Sequence, residues 1–224
     1  MKTKRRIFKM TKKIPRLKIE LSGAYYFENF QRRYKFPKRR YNLDIKSEID
    51  CMIMKCRKGA CILDAGCGDG SLSGGWTDDY KIIGIDCQKE SIDFCRKQYP
   101  EGEWLLEDLY HLHFEDEFFD LIICSMVIEH FKIPDRALFE MSRVLKDEGQ
   151  IVIITPNYGS CLWRLIEAIY FPIFEGNCKA WTDDVHPSRF RKKSLSEMAN
   201  KCFSVCEIFT VTYGMTLVLR GKKQ

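Results

Sequence analysis

The sequence predicts a doubly wound α/β domain built on a mostly parallel sheet, and three observations carry that prediction. Short apolar runs alternate with segments of helical periodicity between Ile45 and Ile154, which is the βαβ pattern. A glycine-rich loop, Leu63-Asp64-Ala65-Gly66-Cys67-Gly68-Asp69-Gly70, directly follows the first run. The second run closes on Asp86, twenty residues after Gly66.

Each element has its own signal. Ile45, Ile49, Met52, Ile53 and Cys56 recur at helical spacing and give an amphipathic helix that Gly59 ends. Cys61-Ile62-Leu63 is a buried first strand leading into the turn at Asp64-Ala65-Gly66, and Ile82 to Ile85 is the second strand. Ser71 to Tyr80 holds Gly74-Gly75 and Asp78-Asp79, so a short or irregular segment is expected there. Ile92, Cys95 and Tyr99 mark a helix stopped by Pro100, and a third strand lies around Trp104 to Leu106. Phe119 to Cys124 is the fourth strand, Asp135 to Lys146 a helix with the face Leu138, Met141, Val144 and Leu145, and Ile151 to Ile154 the fifth strand. The turn before that strand is assigned to Gly149. A helix opens at Ser194, with Glu197 completing a capping box. Phe203 to Val211 and Met215 to Leu219, separated by Thr212-Tyr213-Gly214, form a hairpin that adds an antiparallel strand to the sheet.

Composition bounds the rest. A chain of 224 residues that is 45% apolar, with 15 Phe, 10 Tyr and 4 Trp, fills one core and leaves room for appendages. Its eleven cysteines include no C-x2-C pair and its histidines lack zinc-finger spacing, so neither a disulfide framework nor a protein-bound metal is expected. No apolar h-region follows the basic N-terminus and no apolar run is long enough to span a bilayer, so a cytoplasmic, reducing setting is expected. Residues 1–46 hold sixteen Lys/Arg against three Asp/Glu, a net of +13 within a total of +6, which leaves −7 on the body. The chain therefore divides into a basic, aromatic-rich arm over 1–44, expected to act as a lid over the pockets, and a domain over 45–224. Within the arm, residues 1–18 have no period, whereas Tyr25 to Tyr41 interleave aromatics with Arg and Lys.

Glycines at 66, 68 and 70 allow tight dihedrals and close approach of backbone to a ligand. Asp86 stands where a carboxylate accepts hydrogen bonds from a ribose diol. On spacing alone, a dinucleotide and S-adenosylmethionine both qualify. Pyrophosphate favours G-x-G-x-x-G, however, and here residue 71 is Ser while Asp69 places a negative charge in the loop. That charge opposes pyrophosphate and tolerates a ligand bearing ammonium and sulfonium groups.

The segment from Cys61 to Asn157 resembles the class I S-adenosylmethionine-dependent methyltransferases, within the large type 11-like group that includes ubiquinone-biosynthesis O-methyltransferases. The resemblance rests on the 63–70 loop, Gly84-Ile85-Asp86, Glu107-Asp108, Phe118 to Ile123, Glu129-His130, Arg143 to Lys146 and Thr155-Pro156-Asn157, in that order. It implies a Rossmann-like seven-stranded sheet of order 3-2-1-4-5-7-6 with the last strand antiparallel. It further implies S-adenosylmethionine as cofactor, with Asp64, Gly66, Cys67, Gly68 and Gly70 around its methionine part. Asp86 would hold the ribose hydroxyls, Asp108 would sit beside the adenine amino group, and Cys87 and Leu109 would flank the ring.

Methyl transfer requires an acceptor lone pair in line with the methyl carbon, and a base where the acceptor must lose a proton. His130, after the fourth strand, is the candidate base. Glu129 would orient it or meet a cationic or metal-associated acceptor, while His111, His113 and His186 rank behind, with His186-Pro187 at the acceptor entrance. The acceptor site is expected to be built from the N-terminal aromatic segment and from residues 158–190, where an insertion or lid is expected; Tyr158, Trp163, Tyr170, Phe171, Phe174 and Trp181 supply a large apolar surface that either lines a pocket or packs against the core. A small acceptor methylated on O or N is the favoured partner, with only weak polyanion or RNA contact through residues 1–41. The alternatives are an RNA methyltransferase that uses the arm and a binding protein that keeps only the cofactor fold.

Overall fold

The computed structural model describes residues 38–165 and 186–224, with side chains from Leu43 onward. Residues 1–37 of the arm, the 166–185 part of the expected insertion or lid, and with it the candidates Tyr170, Phe171, Phe174 and Trp181 lie outside the described residues.

Seven strands form one sheet of order β3-β2-β1-β4-β5-β7-β6. They are β1 (Cys61–Ala65), β2 (Lys81–Asp86), β3 (Glu103–Leu106), β4 (Phe119–Ser125), β5 (Leu145–Pro156), β6 (Phe203–Val211) and β7 (Thr216–Lys223). The first five run parallel, and β7 pairs antiparallel with both β5 and β6. The order and the antiparallel last strand are those implied by the family resemblance.

Strand alternation builds two cores. Along β4, Phe119, Ile122 and Cys124 face one cluster while Leu121 and Ile123 face the other, and Ile151 to Ile154 alternate likewise along β5. Helices cover both sides. On the second face lie α1 (Lys38–Met54), with Ile45, Ile49, Met52 and Ile53, and α2 (Lys89–Gln98), with Ile92 and Cys95. On the first lie α3 (Pro134–Val144), with Ala137, Leu138, Met141 and Val144, and α5 (Lys192–Ala199), with Leu195, Met198 and Ala199, while the short α4 (Cys161–Leu165) falls between them in the chain. Both sheet faces are thus out of water, which is why the central strands read as continuous apolar runs. Full burial of one such Ile or Leu contributes about 1.5–3 kcal/mol, so the helices are held mainly by these stripes.

Residues 71–80 contain only a 3₁₀ turn, Gly74–Trp76, as their glycine content predicts. This irregular stretch is fastened to α1: Trp76 Nε1 donates to Asp50 Oδ1 at 2.7 Å, and Lys46, paired with Asp50, donates to Leu72 O at 3.1 Å. Gly74 lets the ring of Tyr99 lie flat on the backbone, because a Cβ there would fall 2.5 Å from Tyr99 Cγ.

Three local expectations need correction. α3 ends at Val144, and Leu145 and Lys146 already belong to β5, where Leu145 pairs with Phe119 across a bulge. The turn inside β5 takes its positive φ at Glu148 (60°), not at Gly149; Gly149 is needed because a Cβ there would lie 2.7 Å from Lys146 O. Ser194 does not cap α5 from outside with Glu197. It is the third residue of the helix, and its Oγ accepts from the N–H of the capping residue Arg191 at 2.9 Å. Glu197 instead lies 3.8 Å from Lys193 on the exposed face.

Candidate active site

The strand order reverses between β1 and β4, so the loops after β1, β2 and β4 open around one crevice at the carboxyl edge of the sheet. The loop after β1 is closed by backbone and carboxylate together. The N–H groups of Gly66 and Cys67 both donate to Ile85 O at 2.9 Å, and Gly70 N–H donates to Cys67 O at 2.9 Å. Gly66, Gly68 and Gly70 all have positive φ (81°, 54° and 71°). Their reasons for being glycine differ. A Cβ at Gly66 would lie 2.3 Å from Val127 Cγ2, and one at Gly70 would lie 3.0 Å from Cys95 Sγ, whereas one at Gly68 would meet nothing within 4 Å. Gly68 therefore serves the left-handed backbone and an open face, while Gly66 lets the loop after β4 pack onto it.

Asp86 holds this loop from β2. Its Oδ2 accepts from Gly68 N–H at 3.0 Å and its Oδ1 from Gln88 N–H at 2.8 Å. Burial nevertheless raises its pKa, the two backbone donors offsetting only part of the desolvation. Neighbouring Cys87 is pushed up to about 12, by burial first and then by the charge of Asp86, so it is an inert thiol at the pocket wall. Glu107 N–H donates to Asp86 O at 3.1 Å, which brings the 107–109 turn alongside. Asp108 Oδ1 accepts from Tyr110 N–H at 2.9 Å, and Leu109 is buried. Asp64 lies deeper, 1% exposed, with Ser73 Oγ donating to its Oδ2 at 2.5 Å. Its pKa is pushed up to about 6, chiefly by burial.

A second group assembles after β4. The 3₁₀ turn Ile128–His130 buries Glu129 completely, and Thr155 Oγ1 of β5 donates to its Oε2 at 3.0 Å while Oε1 has no hydrogen-bond partner among the described residues. Burial raises the pKa of Glu129, and the neighbouring His130 partly offsets this. His186 is 1% exposed and its ring lies 4.7 Å from that of His130, at 70°. Tyr158 Oη sits 2.6 Å from His186 Nδ1. Desolvation, then His130 and Arg189, lower the His186 pKa to about 3, so its ring is neutral. The 186–190 segment is stitched down by Ser188, whose N–H donates to Glu129 O at 3.2 Å and whose Oγ donates to Phe131 O at 2.7 Å.

The structure therefore brings together two sets of sequence-predicted residues: Asp64, Gly66, Cys67, Gly68, Gly70, Asp86, Cys87, Asp108 and Leu109 around the glycine loop, and Glu129 with His130 after β4. Val127 against Gly66 joins the sets. It separates His111 and His113, which are exposed, His113 Nδ1 standing 2.7 Å from Glu107. His186, ranked among the weaker candidates, is moved into the second set. Thr155, Tyr158 and Ser73 had no sequence signal as partners of Glu129, His186 and Asp64. Tyr158 and Trp163, expected on an acceptor surface, are buried and pack together with Met215.

A family model described as a methyltransferase domain matches residues 63–153. The demethylmenaquinone methyltransferase of Thermotoga maritima is 32% identical over 121 residues, covering 51% of this chain and 52% of that protein. The ubiquinone biosynthesis O-methyltransferase of Coxiella burnetii is 26% identical over 139 residues, covering 58% and 59%. The chain thus spans little more than half the length of these curated relatives. Among solved structures, a TehB-like S-adenosylmethionine-dependent methyltransferase from Corynebacterium glutamicum superposes with a TM-score of 0.60 at 20% identity, over 90% of this chain and 100% of that one. This last likeness is one of fold.

Proposed function

We propose that the chain, whose residues 63–153 match a methyltransferase-domain model, is a class I S-adenosylmethionine-dependent methyltransferase of the type 11-like group that transfers a methyl group to an oxygen or nitrogen atom of a small-molecule acceptor. The observation that carries the reading is the clasp between Gly68 and Asp86 at the point where strand order reverses. The residues present fit the cofactor. Open space at Gly68 admits a ligand against backbone, and Asp86, with two donors already bound, keeps acceptor capacity for ribose hydroxyls, since a carboxylate accepts about four hydrogen bonds. Asp108, Leu109 and Cys87 flank the position expected for adenine.

Bound there, S-adenosylmethionine supplies an electrophilic methyl carbon on a sulfonium that leaves as a neutral thioether. The chain's own task is to hold the acceptor lone pair in line and to keep water out. Where the acceptor carries a proton, its removal is assigned to the Glu129, His130 and His186 group. His130 is the partly exposed member of that group and the one on which transfer depends. A cytoplasmic setting belongs to the same reading, supported by Cys61, Cys67, Cys95 and Cys124, which sit in the core as free thiols.

The test is calorimetry with S-adenosylmethionine, its demethylated product and NAD, followed by incubation with methyl-labelled cofactor and fractionated extract. Micromolar binding of the first two and label in small molecules support the reading. Tighter binding of NAD, or label confined to RNA or protein, overturns it.

A further inference from the structure

We infer that Glu129, His130 and His186 form a binding site for one divalent transition-metal cation of the zinc type. Each residue offers one ligand atom, and these atoms all lie within 4.8 Å of one another. Bonds of about 2.0–2.2 Å place ligand atoms about 3.4 Å apart around a tetrahedral zinc ion, so closure needs about 1 Å of side-chain movement. Two imidazoles and a carboxylate are the donor set suited to zinc and its neighbours in the first transition row.

A separate observation points to a cation. Glu129 is wholly buried, and its Oε1 has no hydrogen-bond partner among the described residues. An orphaned buried carboxylate oxygen is costly, about 1–3 kcal/mol or more, and a bound cation removes that cost. The surroundings are those of a metal site with outer support. Thr155 Oγ1 holds Glu129 Oε2 and so leaves Oε1 as the ligand atom. Tyr158 Oη holds His186 Nδ1, which assigns ligation to Nε2. Partners of this kind fix the orientation of metal-bound carboxylates and histidines. The spacing escapes sequence rules because His186 lies far along the chain and is delivered by the stitches from Ser188 to Glu129 O and Phe131 O.

Three protein ligands leave a coordination position open, the pattern of catalytic rather than structural zinc. This part rests on the methyl-transfer reading and deepens it. The preferred acceptor is then a hydroxyl compound whose oxygen takes the open position, where the cation lowers its pKa and the proton leaves to water. His130 acts in that case as a ligand.

The experiment uses the full chain, stripped with a chelator and titrated with Co²⁺ as a spectroscopic probe, then with Zn²⁺. One equivalent of Co²⁺ should develop visible d–d absorption and be displaced by Zn²⁺. His186→Ala and Glu129→Gln should each weaken binding by at least about 100-fold, and Tyr158→Phe by about 10-fold. His113→Ala, at an exposed ring outside the group, should leave it unchanged. Calorimetry with S-adenosylmethionine on every variant reports whether the cofactor fold survives. Wild-type protein that binds the cofactor yet takes up no Co²⁺ saturably, or binding that survives His186→Ala, overturns the site and leaves a hydrogen-bonded cluster. Saturable binding with label entering only nitrogen acceptors would instead overturn the hydroxyl-acceptor part, and saturable binding with no label entering any small molecule, with or without Zn²⁺, would sink the methyl-transfer reading and spare the metal site.

Discussion

Asp86 accepts from two backbone N–H groups, one on the glycine loop and one at the start of α2, so it shapes the pocket as well as contacting its ligand. Asp86→Ala should therefore weaken S-adenosylmethionine binding by about 1–3 kcal/mol through lost charge-assisted hydrogen bonds. Asp86→Asn, which keeps an oxygen for Gly68, should lose less. Equal losses in calorimetry would mean that the charge alone matters. Asp64 makes a different prediction, on pH. Its folded pKa of about 6 lies above the ordinary 3.8, so the folded state holds a proton that the unfolded chain has released between those values. Its contribution is then favourable at low pH and is lost as pH rises through about 6. At about 1.4 kcal/mol per pKa unit, the loss approaches about 3 kcal/mol. Asp64→Asn should accordingly be more stable than wild type in urea at pH 7, with the gap closing by pH 4. A gap independent of pH would place the charge of Asp64 in a better-solvated site. At this scale the sequence showed the glycine loop, Asp86 and Glu129-His130 because each sits beside a strand end in a local pattern. It ranks His186 behind His130, because the contacts that deliver His186 run between distant segments.

The elements were legible where periodicity is strong, and their ends were not. β4 and the Ile151–Ile154 part of β5 are continuous apolar runs because both faces of the sheet are covered. The end of α3 was misplaced because Leu145 is buried in either conformation, so burial alone cannot tell a last helical turn from a first strand residue. What fixes it is Arg143. Its guanidinium donates to Phe114 O and Leu112 O at 2.9 Å, to Asp116 Oδ1 at 2.7 Å, and to both oxygens of Glu140 at 3.0 and 2.9 Å. It ties the last turn of α3 to the loop before β4, and these contacts hold its pKa above the usual value. A side chain that the helical pattern placed merely outward is thus a junction. Arg143→Ala should destabilise the fold by about 2–3 kcal/mol, and Arg143→Lys should recover little of that, because one ammonium cannot reproduce a planar fork. Denaturant midpoints decide it; a loss within about 0.5 kcal/mol would reduce Arg143 to an ordinary surface residue.

Across the whole molecule, charge is divided unevenly: residues 1–46 carry +13 and the rest −7. The seven-stranded order was legible through the family resemblance, and the hairpin independently gave its antiparallel end, but the relation of the arm to the sheet was not, since residues 1–37 lie outside those described. Among the described residues no helix is long and apolar enough to cross a membrane. α1, which follows those residues, is anchored to the body: Trp76 donates to Asp50, and the Ile45 to Ile53 stripe enters the core. The expectation from sequence, that the aromatic stretch ahead of α1 serves as a lid while the basic residues at 1–18 add only a weak, salt-dependent attraction for polyanions, falls on residues outside those described. The two functions separate by deletion. On that expectation, removing residues 1–18 should leave transfer to a small acceptor largely intact. Removing residues 1–37, which spares α1, should open the crevice to water and lower turnover by more than about 10-fold with urea stability little changed. The opposite pattern would favour nucleic acid as the substrate. Tight binding of tRNA at about 0.15 M salt that disappears with the first eighteen residues would show phosphate contacts dominating, because counterion release makes such binding steeply salt-dependent. In that case the arm is a grip on RNA, and the acceptor is a nucleotide.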